Sequence, residues 1–262
     1  MNTDLQHRQD RPMAELVDFA RQVAPAIGRL GGAWMVSSEA KQASRQLGVK
    51  GWPAYIKGRG SVLGEVDADV VDACFGFFEE SLIEAGWTAP CELSIDEIEA
   101  VYTHACREWS RNRLSDFPGL ERLAELLGAV SDAAPVAGLP LFAGWRAAPR
   151  AVDLPGMLGQ RLHELRELRG GSHLVAVLAS GLTPVEAIAA GPGGSGNATF
   201  FGWSELQLPS PEVISAIGPQ RARAEDLTDE MVAPTWAIVE YEDRAELSGL
   251  LDAALAHAES RV

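Results

Sequence analysis

The stretch 173-HLVAVLASGLTPVEAIAAG-191 decides how the chain is read. An apolar helical run ends at Gly181, and Thr183-Pro184-Val185-Glu186 restarts a helix with a hydroxyl cap, a first-turn proline and a glutamate three residues past the cap. Helix, tight turn and second helix form the unit by which DNA-binding regulators present a reading helix. Reading a major groove needs Arg, Lys, Asn or Gln near the start of that second helix, with cations around it to hold phosphates. Here the second helix is Thr-Pro-Val-Glu-Ala-Ile-Ala-Ala, and Thr183 alone suits a base edge. Residues 170–220 hold no lysine or arginine, where 22 in 262 residues leads one to expect about four. They hold Glu186, Glu205 and Glu212 instead. The small, apolar face of the second helix is expected to pack against protein, and no specific DNA binding is expected.

Working outward, the pattern is helical almost throughout. Leu16, Phe19, Ala20 and Val23 share one face of a helix over 13–30. "SSEAKQASRQLG" opens on a serine cap and stops at Gly48. "DADVVDACFGFFEESLIEAG" spaces Val70, Val71, Cys74, Phe77, Phe78 and Leu82 as one helix, and "SIDEIEAVYTHACREWSRN" opens with the capping box Ser94 to Glu97. A further helix is expected near 118–132. Prolines 135, 140, 149 and 155 then mark the best boundary, dividing a helical N-terminal half (1–134) from a C-terminal half (135–262). In the second half Leu158, Leu162, Leu165 and Leu168 form a stripe that Gly170 and Gly171 are expected to end, with Ser172 capping the next helix. Ser210-Pro211-Glu212 and Thr228-Asp229-Glu230 read as helix starts, and "AELSGLLDAALAHAE" as an amphipathic tail helix. The one strand-like run is "TWAIVEY" at 235–241. The expected fold is all-α, with room for one short hairpin or wing.

Charge narrows the function. The formal net charge is −15, and the 22 basic residues include only three lysines, Lys41, Lys50 and Lys57. A polyanionic partner is repelled at long range unless a local basic patch overrides that field. No apolar run is long enough to span a bilayer, and the opening "MNTDLQHRQDRPMAEL" is polar, so a cytoplasmic protein with no membrane partner is expected. Cys74, Cys91 and Cys106 show no metal-binding spacing and read as reduced thiols.

Two segments carry most of the chemistry. In "GWPAYIKGRGSVLG" (51–64), Trp52, Tyr55, Lys57 and Arg59 cluster in what reads as a glycine-punctuated loop. Aromatics beside cations suit a planar or anionic ligand through stacking and charge-assisted hydrogen bonds. In "RELRGGSH" (166–173), Arg166, Glu167, Arg169 and His173 stand together, and His173 is expected in a first helical turn, where the helix dipole disfavours imidazolium. "GPGGSG" (191–196) matches a dinucleotide fingerprint in letters only, since a helix precedes it, and reads as a flexible connector. Glu97, His104 and Glu108 share a helix face but lack a partner helix carrying ligands, so a solvated face is expected and no metal or cofactor.

Taken together, "SSEAKQASRQLGVKGWPAYIKGRGSVLG", "FGFFEESL", "PLFAGWRAAP", "RELRGGSHLVAVLASGLTPVEA" and "GWSE" resemble an actinobacterial family of mostly uncharacterised helical proteins, the MarR-like winged-helix or helix-turn-helix family. The likeness runs over roughly residues 15–255. In the family pattern R-E-x-R-G-D-G-H, Arg166, Glu167, Arg169, Gly170 and His173 match while Gly171 and Ser172 depart. Of the winged-helix ending, "AIGPQRARAEDLTDEMVAP" keeps only Leu227-Thr228. The resemblance implies a C-terminal half that is a degenerate winged-helix-like domain.

The sequence therefore leads to a helical protein that binds a small molecule between its halves and has lost DNA reading, with a homodimer compatible. Trp52, Tyr55 and Arg59 supply one wall of the site, with Glu167, Arg169 and His173 opposite. Two other classes stand beside this reading: an enzyme using His173 with Arg169 or Glu167 as acid–base groups, and a transcriptional regulator.

Overall fold

The computed structural model describes residues 3–261, with side chains from Met13 onward. It contains fourteen α-helices and short 3-10 turns, and no strand among the described residues. Helix α1 (Thr3–Ala33) buries Leu16, Phe19, Ala20, Val23, Ile27 and Leu30 at the expected spacing. The Ser37 hydroxyl accepts the Ala40 N–H to start α2 (Ser38–Gln46), and Gly48, at φ 72°, ends it.

The segment read as an aromatic loop is a helix, α3 (Trp52–Gly60). Gly51 at φ 66° turns the chain and Pro53 sits in the first turn. Two glycines do not break the helix because packing wraps it: a Cβ on Gly58 would stand 2.2 Å from the Tyr102 ring. The next expected helix is two, α4 (Ala68–Phe75) and α5 (Glu80–Trp87). Gly76, at φ 53° and pressed against Leu174, makes the break. Helix α6 (Ile95–Leu114) carries the capping box between Ser94 and Glu97, followed by α7 (Leu120–Ala133).

Pro140 and Pro155, two of the four prolines of the expected boundary, occupy the first turns of α8 (Pro140–Ala147) and α9 (Leu154–Ala179). Helix α9 is the axis of the molecule and packs against α1, α6, α7 and α8. It runs through Gly170 and Gly171 without stopping, and Ser172 bonds back to the Leu168 carbonyl at 2.9 Å instead of capping a new helix. The largest core cluster extends from Leu16 to Ala258 and draws on both sides of residues 134 and 135.

After α9 the chain turns at Gly181 (φ 77°) into α10 (Pro184–Ala189), where Thr183 and Glu186 form the expected capping box. Gly194 opens α11 (Gly194–Phe200), so the glycine-rich connector is partly helical. Helix α12 (Pro211–Ala216) starts at its Ser210 cap. Thr228-Asp229-Glu230 lies inside α13 (Gly218–Val232) and starts nothing; the buried Thr228 hydroxyl donates to the Ala224 carbonyl at 2.6 Å. "TWAIVEY" is a 3-10 turn, Ala233–Ile238, leading to α14 (Tyr241–Glu259). The region allotted to a wing is therefore helical, and no hairpin forms among the described residues. No described helix is long and apolar enough to cross a membrane.

Candidate functional site

The two chemistry-bearing motifs meet. Helix α3 and helix α9 border a cavity of about 510 Å³, which α4 and the start of α8 close on the other sides. Six aromatic rings line it: Tyr55, Phe75, Phe77, Phe78, Phe142 and Phe201. The charged groups on its surface are Arg59, Arg166, Glu167 and Arg169.

Arg59 and Glu167 form a buried pair across 108 residues of sequence. The Arg59 Nε donates to Glu167 Oε1 at 3.1 Å and its Nη2 to Oε2 at 2.7 Å, the two-pronged geometry that suits a guanidinium to a carboxylate. Only 9% of Arg59 and 2% of Glu167 is exposed. The guanidinium also lies over the Phe75 ring, 4.5 Å from its centre. Arg166 adds a third bond to the carboxylate, Nη1 to Oε1 at 2.7 Å. Burial alone would push the Glu167 carboxyl up, but Arg59 and then Arg166 hold it down at about 2.

Behind the pair, in the core, His163 Nε2 lies 3.8 Å from Glu167 Oε1 and has no hydrogen-bond partner among the described residues. Burial lowers this imidazole to about 4, so it is neutral at pH 7. The Tyr102 hydroxyl and the Trp145 Nε1 are likewise buried without partners among the described residues; Tyr102 packs with Trp34 and Trp145, and those two indoles pack with His163.

Of the other expected site residues, Tyr55 and Arg169 reach the cavity surface, and Trp52 and His173 do not. Tyr55 lines the cavity. Trp52 stands one layer back, edge-on to Tyr55 at 5.5 Å and to Phe78 at 5.3 Å, so it supports the wall. Arg169 lines the cavity but turns its guanidinium to α13, where Nη2 reaches Asp229 at 3.1 Å and Glu225 at 3.4 Å. His173 does not share the cavity. Its ring stacks on Phe77, with 5.6 Å between centres, and its Nδ1 is 2.8 Å from the Thr228 hydroxyl. Because that hydroxyl donates to Ala224, Nδ1–H is the donor to it. His173 lies near the end of α9, not in a first turn, and burial rather than a helix N-terminus lowers its pKa.

Arg166 and the Phe75–Phe78 wall were not chosen from sequence as site residues. Their signal was present in "RELRGGSH" and "FGFFEESL", but a ring in a helix reads as ordinary core until its neighbours are known. Glu97 accepts from the Ser94 backbone N–H and hydroxyl in its cap, and no group of three or more His, Cys, Asp or Glu able to hold a metal occurs among the described residues.

The model of a helix-turn-helix family matches residues 20–261, nearly the whole chain and the cavity with it. The chain belongs to a helix-turn-helix family. No curated protein and no solved structure matches it. In this helix-turn-helix protein the second helix of the unit at 173–191 is α10, and none of its six side chains is fully exposed. Ala187, Ile188 and Ala189 are buried, and Leu182 and Ala187 join a small core with Val177 and with Ile217 and Ala224. The capping glutamate, Glu186, places a negative charge at the helix start.

Proposed function

We propose that this helix-turn-helix protein binds a small molecule in the cavity between α3 and α9 and does not read DNA. The observation that carries the reading is the cavity itself. It measures about 510 Å³, within the range typical of ligand sites, and sets a few convergent polar groups in an aromatic wall. A buried ion pair costs desolvation and is weak support for stability, so its position on a cavity surface favours a binding role. Absence of DNA reading is supported by the half-buried α10, by the lack of cations in 170–220 and by the net charge of −15. MarR-like, winged-helix ancestry within an actinobacterial family and a cytoplasmic site of action belong to the same reading. The ancestry rests on the quoted motifs, and the compartment on the three free thiols Cys74, Cys91 and Cys106. The acid–base alternative loses its support, because Phe77 lines the cavity while His173 lies against the ring and outside the lining.

The test is native mass spectrometry of the protein equilibrated with a small-molecule extract of the cells that make it. Gly170 lines the cavity and a Cβ there meets nothing within 4 Å, so Gly170→Leu adds a bulky side chain to the cavity lining from an unobstructed first carbon. The expected result is a bound organic molecule on the wild type that is lost from Gly170→Leu. No adduct on the wild type, or equal adducts on both, would overturn the proposal.

A further inference from the structure

The cavity carries one unmatched positive charge. Arg59 and Arg166 share the single carboxylate of Glu167, and neither makes an ion pair with another acid among the described residues. Arg169, in contrast, is matched by Asp229 and Glu225. His163 is neutral at pH 7 and adds nothing to the count. The Arg59–Glu167–Arg166 group is therefore +1, and it faces Tyr55, Phe75 and Phe78 across a largely apolar space. A charge beside hydrocarbon is poorly solvated and gains most from a counter-charge brought to it. In a chain of net charge −15, this local excess does not follow from composition.

The two guanidiniums are not equally available. Arg59 is buried, doubly bonded to Glu167 and covered by Phe75. Arg166 makes one hydrogen bond among the described residues, and 30% of its side chain is exposed. Its stem lies along two glycines of α1: a Cβ on Gly31 would come 3.0 Å from the Arg166 Cβ, and one on Gly32 would come 3.1 Å from its Nε. Beside it, Gly28 and Gly170 line the cavity, and a Cβ on either meets nothing within 4 Å. The glycines thus seat the arginine and leave room next to it.

We infer that the cavity takes an apolar monoanion, an aromatic or aliphatic carboxylic acid whose carboxylate is held by Arg166 and whose hydrocarbon body lies against Phe75, Phe78 and Leu139. This rests on the cavity being a binding site and adds the charge class of its ligand. A monoanion neutralises the group. A neutral molecule leaves the cation unmatched, and a phosphate monoester brings a second negative charge against the rings.

Isothermal titration calorimetry with three probes of one shape tests it: 2-naphthoate, 2-naphthamide and 2-naphthyl phosphate. The expected order places naphthoate tightest, by about tenfold or more over the amide, as a charge-assisted pair contributes. Arg166→Gln weakens naphthoate by about tenfold and leaves the amide within about twofold, so amide binding reports that the variant is folded. Arg166→Lys keeps the charge and retains a preference for naphthoate. Amide binding equal to naphthoate, tighter binding of the phosphate, or naphthoate binding unchanged in Arg166→Gln overturns the charge class and leaves the cavity reading standing. Binding of no probe, or binding of every probe unaltered in Gly170→Leu, overturns both.

Discussion

Glu167 is the residue on which the site turns, since it holds two arginines and belongs to the central helix. Removing its charge leaves Arg59 buried without a counter-ion, and losing one partner of such a pair typically costs about 3–5 kcal/mol. Glu167→Gln is accordingly expected to lower stability to urea by that order, and a loss below about 1 kcal/mol, the scale of an exposed pair, would show that the pair is not desolvated. The same residue sets an acid limit. Its carboxyl titrates at about 2 in the folded chain against an ordinary 4.5, so its stabilisation is complete above the ordinary value and is lost as pH falls from there towards 2. His163 acts at a higher window. Folded, it stays neutral down to about 4, whereas unfolded it takes a proton below 6.5, so stability falls as pH drops from 6.5 to 4. His173, also lowered by burial, adds in the same direction. Equilibrium denaturation between those pH values should show a shallower slope in His163→Gln than in the wild type, and an unchanged slope would contradict the assignment. Tyr55, Arg59, Glu167 and Arg169 stand out in sequence as aromatics and charges in two short segments, and all four line the cavity. That Arg59 and Glu167 pair was not readable, because 108 residues separate them and 19 arginines compete for every acid.

Among the elements, helix starts were more legible than helix continuity. The caps at Ser37, Ser94, Thr183 and Ser210 all form, since a hydroxyl bonding backbone N–H groups two or three residues on is a local affair. Glycine misled in both directions. Gly170-Gly171 stands inside α9, where Gly171 is pressed against Leu139 and both keep helical backbone, whereas Gly76 divides α4 from α5 at positive φ. Two substitutions separate glycines that packing requires from those it does not. A Cβ on Gly31 would lie 2.4 Å from the Leu162 carbonyl oxygen, which as backbone cannot swing aside, so Gly31→Ala should part α1 from α9 and cost about 1–3 kcal/mol. Gly170→Ala meets nothing and removes a flexible residue from a helix, so it should raise stability by about 0.5–1 kcal/mol. Thermal melting reads both, and the reverse order of melting temperatures would refute this account of the α1–α9 contact.

At the scale of the molecule, one core built around α9 joins the first helix to the last, and the cavity lies at its side. The all-α class followed from periodicity, but which helices border a cavity depends on long-range packing that periodicity does not encode. The helix, turn and helix at 173–191 form as a scaffold, yet α10 buries Ala187, Ile188 and Ala189 against the protein. An electrophoretic shift with GC-rich DNA at physiological salt is expected to show no specific complex, and sub-micromolar binding abolished by Thr183→Ala would contradict that. The claim on which the rest depends is that the cavity between α3 and α9 is a binding site. A crystal structure of the protein equilibrated with an extract of its own cells tests it most directly. The expected result is continuous density of an organic molecule along Phe75, Phe78 and Leu139, reaching Arg166. Separate water peaks in that space, or a cavity closed by the side chains of Phe77, Phe78 and Leu174, would contradict it.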